Sequence, residues 1–182
     1  NPDLIFVGEI RDADTAEMAF RAAMTGHQVY SSLHTNSALG AIPRLLDIGM
    51  LPDIMASNII GIIAQRLVRQ LCPKCKIPYR ASASEIRQIA GDCVDAPRLF
   101  RPEGCQYCEF QGYRGRLAIM EILRMNADID ELVARRGALR EIGHLAKQQG
   151  FVSLAEDGLR RVLDGSTSLA ELARIVDLSD RR

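Results

Sequence analysis

The chain has 182 residues, 47% hydrophobic and 25% charged, and its 23 basic and 23 acidic side chains cancel. This balance suits a soluble globular protein with a sizeable core, and it offers no basic excess for nucleic acid. No apolar run reaches the ~18 residues of a membrane span, because the longest, IMASNIIGIIAQ, is broken by Ser57 and Asn58.

The opening Asn1-Pro2-Asp3 is neither a start methionine nor an export signal, so the chain is expected to be a piece of a longer protein. LIFVG, residues 4–8, predicts a short buried strand between a proline and a glycine. DADTAEMAFRAAMTG predicts a helix capped by Asp12 or Asp14 and stopped at Gly26, with Ala16, Ala19, Phe20 and Ala23 at helical spacing. HQVYSSLHT predicts a second strand. NSALGAIPRLLDIG predicts a second helix capped by Ser37, which Pro43 should kink or split. LPDIMASNIIGIIAQRLVRQL, with Pro52 near its first position, predicts a third helix reaching the first cysteine pair. Strand, helix, strand, helices is the order of a parallel α/β sheet, of which residues 1–71 would be the later part.

From residue 72 the character changes. Two CxxC pairs flank a polar stretch, 76–104, in which SASEIRQIAG predicts a short helix. GYRGRLAIMEIL then predicts a strand. Helices are expected at 127–136, 138–149, 154–164 and 168–176, the last opened by a Ser168/Glu171 capping box. The expected divisions are therefore 1–71, a cysteine-bearing element with its returning strand at 72–126, and a helical region at 127–182.

The polar residues at strand ends carry the chemistry. Ligands of open α/β sheets sit outside the carboxyl ends of the strands. Glu9 stands there, directly after an apolar strand, with Gly8 giving the backbone room. An acid so placed can hold Mg²⁺ through its water shell in a nucleotide-hydrolysing protein. Taken alone, the same pattern also describes an ordinary strand end. His27 and His34 bracket the second strand, with Thr25, Thr35, Asn36 and Ser37 beside them. The strand-to-helix step at 34–37 places N–H groups and an imidazole where a phosphate would sit. For either histidine alone, a surface histidine beside a hydroxyl-rich cap is the plainer reading. His144, mid-helix and without polar company in the sequence, is left structural or solvent-exposed.

Cys72 and Cys75 form one CxxC pair and Cys105 and Cys108 the other, 29 residues on; Cys93 is a bystander. Without an export signal, such pairs point to metal rather than to disulfides. Four thiolates close a tetrahedral Zn²⁺ shell with no open position, which makes the role structural. A redox CxxC and a disulfide pair are the competing readings.

PDLIFVGEIRDADTAEMAFRAAMTGHQVYSSLHTNSALGAI resembles the ATPases of type II secretion and type IV pilus assembly. The likeness continues through AQRLVRQLCPKC, GYRGRLAIMEIL and AEDGLRRVLDG. The resemblance implies a RecA-like core using ATP with Mg²⁺, in which Glu9 is the Walker B acid. TGH…LHT is then a His box putting His27 and His34 near the γ-phosphate, with Thr25 beside it and Arg11 linked to the nucleotide. It further implies a hexameric ring, cytoplasmic and held at the inner membrane through secretion or pilus platform proteins. The tetracysteine unit points to secretion and assembly members rather than retraction members, and to type II secretion over pilus assembly. No GxxxxGK[ST] loop occurs in the 182 residues, so this chain alone is expected to bind ATP poorly and hydrolyse almost none. The alternative is a non-enzymatic, zinc-stapled helical module that binds protein partners. A zinc-ribbon nucleic-acid binder is disfavoured by zero net charge and 5% aromatic residues.

Overall fold

A computed structural model describes residues 3–90 and 96–178, so Cys93 lies outside the described residues. In chain order the elements are β1 (Leu4–Glu9), α1 (Ala13–Met24), β2 (Gln28–Ser32), α2 (Ala41–Ile48), α3 (Pro52–Met55), β3 (Gly61–Leu71), β4 (Ile77–Arg80), α4 (Ala83–Ala90), β5 (Arg98–Arg101), β6 (Tyr113–Arg124), α5 (Ala127–Ala134), α6 (Leu139–Gln148), α7 (Leu154–Leu163) and α8 (Leu169–Ile175). They gather into two compact units, Asn1–Ala64 with Glu121–Phe151, and Gln65–Met120 with Val152–Arg182. Each unit is discontinuous in sequence, whereas the expected divisions are continuous.

In the first unit β1 and β2 pair in parallel, and α1 makes the crossover. Asp12 caps α1 by accepting from the Thr15 N–H at 2.8 Å, and Gly26, at φ +91°, turns the chain out of it. Ala16, Ala19 and Phe20 are its buried stripe. The expectation of a buried first strand is corrected: Phe6 is 72% exposed and Leu4 54%. The described sheet has two strands here, and α1 packs against it on one side only.

Two further expectations fail locally. The second helix begins at Ala41 rather than after Ser37, so Pro43 falls at its third position. First-turn N–H groups have no intrahelical acceptor, so the proline neither kinks nor splits α2. The predicted helix from Pro52 to the cysteines lasts only to Met55. Ser57 then adopts φ +66° and the chain leaves as β3. Ile59, Ile60, Ile62 and Ile63 are β-branched and favour the extended state. Along β3 the buried residues Ala64 and Val68 alternate with the exposed Ile63 and Leu67. β3 pairs with β6. The flanking bonds, Met125 N–H to Ile60 O at 3.1 Å and Cys72 N–H to Gly112 O at 3.0 Å, make the pair antiparallel. α5 packs on α3 and α6.

In the second unit β4 and β5 form an antiparallel pair that the sequence reading did not anticipate. Ser153 and Glu156 form a reciprocal capping box at the start of α7. Ser168 caps α8 by accepting from the Glu171 N–H at 3.1 Å, but the expected box is incomplete. The Glu171 carboxylate turns instead to Arg69, which donates to it at 2.7 Å. Gly158 lets α7 and α8 meet, since a Cβ there would lie 2.3 Å from Leu172 Cδ1.

Candidate functional site

Glu9 ends β1 at the carboxyl edge of the parallel pair. The register passes from Val7↔Ser31 to Glu9↔Ser32, which leaves Gly8 as a bulge. Ser32 Oγ donates to Gly8 O at 2.7 Å, and Ile10 N–H donates to Ser32 O at 2.9 Å, so the strand end is fixed on both sides of the acid.

The two carboxylate oxygens face different nitrogen-bearing side chains. Oε2 accepts from Arg11 Nε at 2.8 Å and lies 2.6 Å from Arg11 Nη2. Oε1 lies 2.8 Å from His34 Nε2. That contact is not aligned as a hydrogen bond, and Oε1, shielded from solvent, accepts none. The Glu9 side chain is 20% exposed, against 74% for Arg11 and 87% for His34. The acid is therefore the enclosed member, and its partners reach it from the solvent side. The Arg11 hydrogen bond and charge, with the charge of His34, hold the Glu9 carboxyl below its ordinary value against the opposing effect of burial.

His27 and Thr25 lie elsewhere. Leu4 is in register with Gln28 and Glu9 with Ser32, so His27 precedes the opposite end of β2. Five strand steps of ~3.3 Å separate the two ends by roughly 16 Å. His27 Nδ1 sits 3.1 Å from both Thr25 Oγ1 and Ala22 O, and Thr25 Oγ1 donates to Ala22 O at 2.9 Å. Together they close the α1–β2 turn. The structure thus brings Glu9, Arg11 and His34 together and leaves His27 and Thr25 apart from them. His144 is not without company, since its Nε2 meets Gln148 Nε2 at 3.0 Å.

The four cysteines converge in the second unit, with all sulfurs within 4.8 Å of one another. Cys72 and Cys105 Sγ are 4.0 Å apart, Cys75 and Cys108 3.7 Å, and Cys105 and Cys108 3.8 Å. Tetrahedral zinc with Zn–S bonds of ~2.3 Å sets its sulfurs ~3.8 Å apart, so the donor set fits that ion. The backbone prepares the sulfurs for charge: Gly104 N–H donates to Cys75 Sγ at 3.3 Å, and Cys105 and Gly112 N–H donate to Cys108 Sγ at 3.2 Å. At Cys108 burial opposes ionisation, but these donors outweigh it and bring the thiol to about 6. At Cys75 burial prevails and pushes the thiol up to about 12. Gly112, at φ +73°, is required at the turn behind the second pair, because a Cβ there would lie 2.4 Å from Pro102 Cβ.

One buried acid escaped the sequence reading, and a second is legible there only as half of a capping box. Glu121 is 4% exposed in β6, and Glu171 is 2% exposed in α8. Glu121 had a readable signal, since it falls on the same parity as Leu117, Ile119 and Leu123 and so on the inward face of its strand. Its carboxylate accepts from the Ala38 N–H, 83 positions away in sequence.

Comparison with solved structures gives the class first: an α/β protein with a fold like that of the ATPases PilT and DotB. It superposes on the crystal structure of the pilus retraction motor PilT with bound ADP at a TM-score of 0.65 and 26% identity, over 97% of this chain and 40% of that one. The Legionella pneumophila ATPase DotB gives a TM-score of 0.62 over 96% of this chain and 38% of that one; at 22% identity it speaks for the fold alone. The sequence then gives the family. T2SSE, Type II/IV secretion system protein, matches residues 1–174, and the chain belongs to it. Over 96% of its length it is 45% identical to the Type II secretion system protein E of Pseudomonas aeruginosa, covering 35% of that protein. It is 42% identical over 98% of its length to the type IV pilus assembly ATPase TfpB of Acinetobacter baylyi, covering 31% of that protein. The chain thus spans about a third of the length of these curated relatives.

Proposed function

We propose that this chain is the later part of a RecA-like ATPase that powers type II protein secretion or type IV pilus assembly. Glu9 carries the reading: an enclosed, ionised acid at the carboxyl edge of a parallel strand pair, with one oxygen held by Arg11 and the other shielded and faced by the exposed His34. A carboxylate oxygen that is shielded by the protein yet makes no aligned hydrogen bond fits a water held by Mg²⁺. Mg²⁺-ATP, when bound, supplies the phosphoryl group and the charge that neutralises it. Glu9 orients the metal's water shell, and Arg11 keeps the acid ionised and in place. His34, exposed and beside Glu9 Oε1, donates toward the phosphate side. His27 and Thr25 hold the turn that sets the start of β2. The phosphate-cradling loop is not among the 182 residues, so the isolated chain is expected to hydrolyse almost no ATP.

The complete protein would work as a hexameric ring at the cytoplasmic face of the inner membrane, docked on platform proteins. No helix among the described residues is long and apolar enough to cross a membrane. The cysteine cluster supports a structural Zn²⁺ in the same chain, which also leaves room for a second use as a protein-binding lobe. The deciding experiment is ATP turnover by the complete protein. Glu9→Gln should lower it on the order of 100-fold or more, and His34→Ala should lower turnover more than assembly. Normal hydrolysis by both variants would end this assignment.

A further inference from the structure

We infer that Glu121 is a positioning residue for His34, an inference that rests on the ATPase reading above. The imidazole of His34 is 87% exposed, so side-chain packing does not fix it. Its location follows from the backbone that carries it, residues 33–40, which lies between β2 and α2 and has no ladder to hold it. Hydrogen bonds pin that backbone on either side of His34. Before His34, Ser32 O accepts from the Ile10 N–H at 2.9 Å, one residue beyond Glu9. After it, the Ala38 N–H donates to Glu121 Oε1. Between the pins the segment is stiffened locally, by Thr35 Oγ1 donating to Ser37 O and Gly40 N–H to Ser37 Oγ, both at 3.0 Å. Leu39 then seats on α6, where a Cβ added at Gly143 would lie 3.3 Å from Leu39 Cδ1.

The chemistry at the second pin is unusual for its place. Glu121 stands on an inward row with Leu117, Ile119 and Leu123, and is itself 4% exposed beside a fully buried Ala38. Taking a carboxyl group out of water is costly, so a glutamate on an inward row is uncommon unless its oxygens are paired. A carboxyl oxygen accepts from a buried N–H where an apolar side chain cannot. What the acid adds here is a defined place for the loop that presents His34 to Glu9.

The test uses the complete ATPase with four changes: Glu121→Ala, Glu121→Met, Glu121→Gln and the pair Glu121→Met/His34→Ala. The methionine fills the volume without an acceptor, while the glutamine keeps an acceptor oxygen. We expect the alanine and methionine variants to lose roughly tenfold or more in kcat, with KM for ATP within about twofold. Both should melt lower than the parent because the buried Ala38 N–H loses its acceptor, so the kcat-against-KM split and the glutamine rescue are the diagnostic readouts. Glutamine should recover turnover to within about threefold. The double variant should be no slower than His34→Ala alone, because both changes remove the same element. In the unmodified protein, the Ala38 amide should exchange with solvent as slowly as the inward amides of β6. A methionine variant with parental kcat, losses that multiply in the double variant, or rapid exchange at Ala38 would each overturn the inference. If Glu9→Gln and His34→Ala hydrolyse ATP normally, the ATPase reading itself has failed. If those two are impaired and Glu121→Met is not, only the role of Glu121 falls.

Discussion

Glu171 lends itself to a quantitative test. Its carboxylate, 1% exposed, accepts from Arg69 Nε and Nη2 at 3.0 and 2.7 Å, from the Arg69 N–H at 3.1 Å, and from Arg174 Nη2 at 3.0 Å. Arg69 lies over the Tyr113 ring at 4.1 Å, which fixes the guanidinium. Burial opposes ionisation, but the two arginines overcome it and bring the Glu171 carboxyl from its ordinary 4.5 to about 2. At ~1.4 kcal/mol per pH unit, that gap corresponds to about 3 kcal/mol of stability. The folded state prefers the ionised form, so this contribution is fully present above pH 4.5 and is lost as the pH falls toward 2. Glu171→Gln should cost about 2–3 kcal/mol at pH 7, because Arg69 remains half-exposed and can rehydrate. Urea titrations of both forms at pH 7 and pH 3 give the measurement. The difference between them should shrink to about half or less at pH 3. A difference below about 1 kcal/mol at pH 7, or one that does not change on acidification, would refute the reasoning.

Three further outcomes follow from geometry. Gly158→Ala sets a Cβ 2.3 Å from Leu172 Cδ1, where Leu172 is fully buried, so chemical denaturation should show a loss of about 1–3 kcal/mol. Ser153→Ala removes the acceptor for the Glu156 N–H and should lower stability by about 1 kcal/mol; a change of a few tenths would show that solvent replaces the cap. Elemental analysis should find one zinc per chain, and chelation should lower the melting temperature and expose Cys72, Cys75, Cys105 and Cys108 to thiol reagents. A metal-free preparation with the same melting temperature would refute a structural ion at this cluster.

Much of this molecule is legible where the sequence signal is local. Asp12 caps α1, Gly26 and Gly49 end helices in positive φ, and the four C-terminal helices begin and end within a few residues of their expected limits. The cysteine cluster follows from spacing alone, since a CxxC turn is its own geometry. What misleads is apolar content without a decisive period. IIGIIAQRLVRQL suits a helix and a strand about equally by composition, and its pairing with β6, some fifty residues later, decides for the strand. The same holds for β4 and β5, four residues each and stable only against one another. At the candidate site, Glu9 and His34 were readable because both fall at the end of a strand. The sequence itself sets His27 at the opposite end of the second strand; only the resemblance sets it beside His34, and the β1–β2 register keeps it away from Glu9. Glu121 was missed, and Glu171 was legible only as a capping partner of Ser168, because their main partners lie 83 and 102 positions away.

The convergence of the two cysteine pairs also bears on how much change the chain can absorb. Cys72 and Cys105 lie 33 positions apart in sequence, yet their sulfurs are 4.0 Å apart. The stretch between the knuckles therefore leaves and returns through one doorway. Just inside it, Ile77–Arg80 is zipped to Arg98–Arg101, so the closure is made twice. Past that zipper, added length carries only the slow logarithmic penalty of a longer loop, about 0.6 kcal/mol for each doubling. The sulfur cluster is thus insulated from what lies past the Ala81–Pro97 step, because the zipper closes the stretch before that point.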